Sequence, residues 1–222
     1  MIGYIRRNNI KGAIFDFDGT LLDTMEKLGR VEIDYLIALG GIPRPGLAEV
    51  LRTLSTAEVT QYFKAEYGIR EPEDKIYRER NRLLEDYYFY EAEPKEGAGA
   101  VLECLRFHEV KMCVATATDR YLVEPAMERH GLTQYFERIL TCSEENTSKS
   151  SPDIYLRAAE LMGTEPGETI VVEDALYAME SAKKAGFPII AIYDKSADDQ
   201  AEEIEAISDH YFKSLVEMLD IL

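Results

Sequence analysis

Five short apolar runs, each ended by a polar turn, constrain the fold of this chain more than any other feature. They are Ile10–Asp16, Val110–Thr116, Arg138–Thr141, Thr169–Glu173 and Phe187–Ile192. The runs are continuous rather than alternating, the pattern of strands buried on both faces of a parallel sheet. Helical stretches separate the later ones. Gly97–His108 carries Val101, Leu102 and Leu105, and Ala175–Ala185 stops at Gly186. Pro152–Met162 has Ser151 as a candidate N-cap and Pro152 at the first helical position. Strands alternating with helices of this length argue for an open α/β sheet. Of the 222 residues 46% are hydrophobic, enough for a sizeable core and too many for wholesale disorder.

Residues 23–94 break the rhythm. They carry no strand signal, only helical periodicity: Val31, Tyr35 and Leu39; Leu47, Val50, Leu51 and Leu54; Val59, Tyr62 and Phe63; Ile76, Leu83, Leu84 and Tyr87. GGIPRPG at 40–46 and YGIREPED at 67–74 are the turns between them. A helical insert after the first strand is expected to sit over the carboxyl ends of the strands, where open α/β sheets bind ligands.

The chemistry-bearing stretch is Asp16-Phe17-Asp18-Gly19-Thr20-Leu21-Leu22-Asp23, directly after the first strand. Residues i and i+2 of an extended chain face the same way, so Asp16 and Asp18 project together. Two such carboxylates repel unless a cation or a shared proton separates them. Gly19 permits a sharp turn whose amides suit an anion. An acidic turn capping a helix is the plainer alternative for D-x-D alone.

Asp and Glu number 42 against 25 Lys and Arg, a net charge of −17. That field repels nucleic-acid phosphates and anionic lipid, and an anionic substrate needs a bound cation or a local Lys to offset it. There is no apolar run near 18 residues and no signal-peptide core in MIGYIRRNN. The three cysteines, Cys104, Cys113 and Cys142, read as buried free thiols in a reducing compartment. The expectation is a cytoplasmic protein with neither membrane nor nucleic-acid partner, as monomer or homodimer.

The D-x-D-G-T motif resembles that of the haloacid dehalogenase-like hydrolases, and three further stretches resemble the family's other motifs in order. Val114-Ala115-Thr116 is similar to its second, Lys149-Ser150-Ser151-Pro152-Asp153 to its third, with Ser150 where Pro is usual, and Val171-Val172-Glu173-Asp174 to its fourth. The resemblance implies a Rossmann-like parallel sheet flanked by helices (1–22 and 95–222) with a small α-helical cap (23–94), within the phosphoglycolate phosphatase and beta-phosphoglucomutase-like branch. It implies Asp16 as nucleophile, forming an aspartyl-phosphate, and Asp18 as general acid and then base. Thr116 and Lys149 would bind the phosphoryl group. Mg²⁺ would be held by Asp16, the Asp18 backbone carbonyl and Asp174, with Glu173 as a further direct or water-bridged ligand.

Within that family, relatives that cleave carbon–halogen bonds lack the second Asp, so Asp18 argues for a phosphatase acting on a small phosphorylated metabolite. A phosphomutase is the rival. The stretches Asp23–Gly29 and Arg52–Ala57 carry neither the His nor the Arg that beta-phosphoglucomutase relatives place there. Ala175 and Ala178 also depart from the usual Ser and Gly. A non-catalytic phospholigand sensor has no reason to keep the full set. Arg52, Ser55 and Thr56 are the candidate substrate contacts from the insert, although they could merely start a helix.

Other features read as structural. Gly97-Ala98-Gly99 starts a helix and is not a dinucleotide loop, because no strand precedes it. His108, His130 and His210 sit at element ends. Tyr87-Tyr88-Phe89-Tyr90 packs where insert and core meet. Thr118 and Asp119 could each contact phosphate or cap the helix beginning near Tyr121, and the cap is the favoured reading.

Overall fold

The computed structural model describes residues 3–51, 54 and 56–222. Its centre is a six-stranded sheet of β1 (Gly12–Phe15), β2 (Lys111–Thr116), β3 (Arg138–Thr141), β4 (Thr169–Glu173), β5 (Ile189–Ile192) and β6 (His210–Phe212). The order is β3-β2-β1-β4-β5-β6, and every pairing is parallel. The order reverses direction at β1, where open sheets of this kind leave a crevice outside the strand ends. The five apolar runs are the first five strands. β6 gave no such signal, because its three residues are only half-buried and contain no continuous apolar run.

Successive residues of each strand point to opposite faces, so one strand sequence supplies two cores. Ala13, Phe15, Met112, Val114, Ile170 and Val172 enter one. Ile14, Cys113, Ala115, Val171 and Ile189 enter the other. Helices α6 (Ala98–Phe107) and α7 (Arg120–Arg129) cover the first face with Leu102, Leu105, Val123 and Met127. Helices α8 (Asp153–Met162) and α9 (Leu176–Lys184) cover the second with Ile154, Ala158, Met179 and Ala182. This is the three-layer α/β architecture expected from the sequence.

Some local expectations shift. Pro152, not Ser151, takes the N-cap position of α8, because the Pro152 carbonyl already accepts from the amides of Tyr155 and Leu156 at 3.0 Å each. Ser151 Oγ donates instead to Asp153 Oδ2 at 2.7 Å. Cys113 and Cys142 are buried free thiols, whereas Cys104, on the flank of α6, is only half-buried. His108 and His130 end α6 and α7, and His210 opens β6.

Between β1 and α6 the chain is helical: α2 (Met25–Ala38), α3 (Leu47–Leu51), α4 (Thr56–Tyr67), α5 (Glu73–Asp86) and a π-helical turn, Tyr87–Glu91. These helices bury a small core of their own around Tyr35, Leu36, Leu51, Val59, Phe63 and Ile76. The chain enters and leaves this insertion side by side. Asp23 N donates to Glu93 O at 2.9 Å, and Lys95 N to Leu21 O at 2.8 Å. Lys95 Nζ then holds Asp194 Oδ2 at 2.8 Å, pinning the return segment to the loop after β5.

Gly97, which starts α6, adopts φ +91°, and a Cβ there would lie 2.6 Å from Val216 N. Both the backbone angle and the close approach exclude a side chain. Gly97→Ala is therefore expected to lower unfolding free energy by about 1–3 kcal/mol, read as a reduced midpoint in urea unfolding. An unchanged midpoint would contradict this packing.

Candidate active site

Parallel strands deliver their last residues to one end of the sheet. Asp16 follows β1, Thr116 ends β2, Glu173 ends β4 and Asp174 follows it. Lys149 reaches in from the loop between β3 and α8. All five are buried. Lys149 Nζ donates to Asp16 Oδ1 and, at 2.6 Å, to Glu173 Oε1. Glu173 Oε2 accepts from the amides of Asp174 (2.9 Å) and Ala175 (3.0 Å), which fixes the turn into α9. Thr116 Oγ1 accepts from Thr118 N at 3.0 Å, and its O–H can still donate. Gly19, at φ +83°, is required here because a Cβ would collide with the Asp174 carboxylate.

Asp16, Glu173 and Asp174 can each offer a carboxylate oxygen within 4.8 Å of the others. Lys149 is the ammonium that answers this cluster of three carboxyl groups. Burial and the Glu173 charge push the Asp16 carboxyl up to about 8, against the opposing pull of Lys149. Burial, then Glu173 and Asp16, hold Asp174 well above the ordinary carboxylate range. Burial alone would lower Lys149, but Asp16 and Glu173 outweigh it and keep it an ammonium. A compact, buried, all-oxygen donor set short of positive charge fits a hard divalent cation such as Mg²⁺.

Asp18 is held apart from that cluster. Thr24 Oγ1 (2.6 Å) and Tyr88 Oη (2.7 Å) both donate to its Oδ1, and Thr118 Oγ1 (2.7 Å) donates to its Oδ2. Burial raises the Asp18 carboxyl, and the three hydroxyls only partly offset this. Thr118 is thus no helix cap; its hydroxyl serves Asp18. Asp119 occupies the N-cap position of α7 but its side chain caps nothing. Its carboxylate accepts instead from Tyr77 Oη (2.5 Å), Asn81 Nδ2 (2.7 Å) and Ser143 Oγ (2.8 Å), tying α5 to the core. Tyr88 packs as expected, its ring stacked 6.3 Å from Phe17. Its contact with Asp18 spans 70 positions, and no local pattern announces it.

A cavity of about 240 Å³ opens over these groups, with Asp16, Asp18, Lys149 and Asp174 at its floor. The insertion forms the roof through Leu28, Glu32, Leu51 and Arg80, with Glu49 nearby. Arg52 and Ser55 lie outside the described residues, and Thr56 is described only as the first residue of α4. Sequence periodicity missed Glu32 and Arg80, since charged residues on an amphipathic helix read as its solvated face.

The family model described as haloacid dehalogenase-like hydrolase matches residues 13–192. The chain belongs to that family. This hydrolase is 27% identical over 194 residues to the fructose-1-phosphate phosphatase YqaB of Escherichia coli (strain K12), covering 82% of this chain and 95% of that one. It is 25% identical over 210 residues to the phosphorylated carbohydrates phosphatase of Thermotoga maritima, covering 89% and 91%. Its structure superposes on the crystal structure of CbbY from Rhodobacter sphaeroides in complex with phosphate. The TM-score is 0.82 at 25% identity, over 94% of this chain and 96% of that one.

The raised Asp16 carboxyl fixes the sign of a stability change. A carboxyl that binds its proton more tightly folded than unfolded costs stability as pH rises from its ordinary value, 3.8, towards about 8. In chelator the hydrolase should therefore melt at a lower temperature at pH 8 than at pH 5. Mg²⁺ should raise the midpoint more at pH 8 than at pH 5, as measured by differential scanning calorimetry. Equal Mg²⁺ shifts at both values would argue against this charge balance.

Proposed function

We propose that this hydrolase is a Mg²⁺-dependent phosphatase that cleaves a small phosphomonoester, a sugar phosphate or phosphoglycolate-like compound, through an aspartyl-phosphate on Asp16. The observation that carries the reading is the division of labour between two neighbouring carboxylates. Asp16 lies with Lys149 in the acidic cluster, and Asp18 lies among three hydroxyls facing the same cavity. Residues 1–22 and 95–222 act as the catalytic core and 23–94 as its cap. The phosphatase names of the relatives support the reaction class, and the size of the cavity supports a small substrate. No helix among the described residues is long and apolar enough to cross a membrane.

In this mechanism Asp16 attacks phosphorus in line with the leaving oxygen. The new bond is Asp16 Oδ–P, the bond that breaks is P–O of the ester, and Asp18 gives its proton to the departing oxygen. Burial favours the protonated form of Asp18, and the three hydroxyls hold the carboxyl in place. Asp18, now ionised, takes a proton from water; the water attacks phosphorus, and the Asp16 carboxylate departs. Lys149 and the Thr116 hydroxyl bind the equatorial oxygens, whose charge must be neutralised throughout. Asp16, Asp174 and the Asp18 carbonyl would hold Mg²⁺, with Glu173 as a further direct or water-bridged ligand, and the ion would supply further charge neutralisation and help align phosphate with nucleophile. The cap excludes water during attack and reopens for release.

Asp16→Asn should abolish release of phosphate from any phosphomonoester while leaving the melting temperature at or above that of the parent. Asp18→Asn should lose about 10²–10⁴-fold on alkyl phosphates and less on para-nitrophenyl phosphate, whose leaving group needs no proton. Excess EDTA should stop turnover and Mg²⁺ restore it. Full activity of Asp16→Asn would refute the covalent route.

Tyr88→Phe keeps the ring but removes one donor to Asp18. Its kcat on alkyl phosphates should fall about ten- to a hundredfold, the range set by one hydrogen bond to a charged group, with para-nitrophenyl phosphate little affected. Steady-state kinetics with both substrate types checks this, and an equal loss on both would remove Tyr88 from the support of Asp18.

A further inference from the structure

The tyrosine hydroxyls around the catalytic cluster are not all employed. Tyr88 Oη donates to Asp18, and Tyr155 Oη donates to Glu173 Oε1 at 3.3 Å. Tyr177, in the first turn of α9 and three residues past Asp174, lines the same cavity as Asp16, Asp174 and Lys149. Its ring packs against the core that α9 covers, which anchors the phenol. Among the described residues Tyr177 Oη has no hydrogen-bond partner, and it is not sealed inside the protein as Ser196 Oγ is. Burial raises the phenol above its ordinary value, against the pull of Lys149, and Glu173, Asp16 and Asp174 push it further. The group is therefore a neutral hydroxyl, able to donate, beside the charged floor of the cavity.

A largely buried tyrosine hydroxyl ordinarily has a partner, and a polar group left open in a cavity is the kind that meets a ligand. The neighbouring carboxylate offers none. Glu173 takes Lys149 and Tyr155 on one oxygen and two backbone amides on the other. The other side-chain donors around the cavity narrow what the ligand atom is. Thr118 is spent on Asp18, and Arg80 on Glu32 and Asn81. Lys149 already serves Asp16 and Glu173, and Thr116 keeps one O–H. A phosphoryl group brings three strong acceptor oxygens, more than Thr116 and the remaining N–H of Lys149 can satisfy.

We infer that Tyr177 is a further substrate-binding residue, its Oη donating a hydrogen bond to a non-bridging oxygen of the substrate's phosphoryl group. It joins Thr116 and Lys149 as a third side-chain donor, and the assignment rests on the phosphatase reading above. A fixed neutral donor stabilises charge on those oxygens without moving during the reaction. The contact belongs to the phosphoryl group and not to the leaving group. Every phosphomonoester, and inorganic phosphate itself, therefore feels it alike.

Tyr177→Phe keeps the ring and removes only the oxygen. The probes are inorganic phosphate, titrated calorimetrically into the full chain with saturating Mg²⁺, and kcat/KM on a hexose monophosphate and on para-nitrophenyl phosphate. The variant should bind phosphate about tenfold or more weakly, the loss expected for one hydrogen bond to a charged group. Its kcat/KM should fall by a similar factor on both substrates, and Mg²⁺ affinity measured without phosphate should be unchanged. Unaltered phosphate affinity in a variant shown to be folded by circular dichroism and thermal melting overturns the inference. A loss confined to the hexose monophosphate also overturns it, because the hydroxyl then serves the body of the substrate. Parallel weakening of Mg²⁺ overturns it too, by placing the hydroxyl on the cation's side of the site. Should Tyr177→Phe fail to fold, Tyr177→Leu, which also lacks the donor, must show the same loss of phosphate affinity. Absence of turnover on both substrates by the unmodified protein would instead refute the phosphatase reading, while the phosphate titration still decides the Tyr177 contact.

Discussion

Because β1, β2 and β4 run parallel, each delivers its terminal residue to the same end of the sheet, and in this chain that geometry concentrates carboxylates. Asp16, Glu173 and Asp174 share a buried pocket answered by Lys149. Much else depends on this crowding. It accounts for the raised Asp16 and Asp174 carboxyls and for the glycine at position 19, where a side chain would strike Asp174. It also accounts for Glu173 capping the next turn through its second oxygen. In the proposed mechanism a divalent cation balances this site, because a proton held on Asp16 would block its attack.

The insertion contributes more than a cover. Asp18 is held by Thr24, at the entry to the insertion, by Tyr88, at its exit, and by Thr118, from the core. The residue proposed as acid and base is therefore fastened by both linkers at once. A movement of the helices against the core would move two of its three hydrogen-bond donors. Asp119 does the corresponding work farther out, accepting from Tyr77 and Asn81 of α5 and from Ser143 of the core. In the proposed mechanism, cap position and the state of Asp18 are thereby coupled through ordinary hydrogen bonds.

The same helices roof the cavity whose floor the strand ends provide. The floor carries groups suited to a phosphoryl group, whose chemistry is the same for every phosphomonoester. The roof carries Glu32 and Arg80, brought together from positions 48 apart, together with apolar side chains. In the proposed function the chemistry thus belongs to the strand ends, while the insertion shapes the space above them.

The sequence alone determined the α/β class, five of the six strands, the helical insertion and the acidic stretch after β1. Those features are written at short range, in continuous apolar runs, helical spacing and a glycine turn. β6 escaped because three half-buried residues make no pattern. The placements of Asp16, Thr116, Lys149, Glu173 and Asp174 were legible because each sits at the end of a recognisable strand or just before a helix. The tertiary structure alone decided which hydroxyls hold Asp18, that Thr118 serves it while Asp119 ties α5 to the core, and that Glu32 and Arg80 line the cavity. Apart from Thr24, six positions from Asp18, those contacts join residues from 24 to 100 positions apart. Their side chains are ordinary surface or packing residues within their own helices, and only the closure of the insertion over the sheet gives them partners.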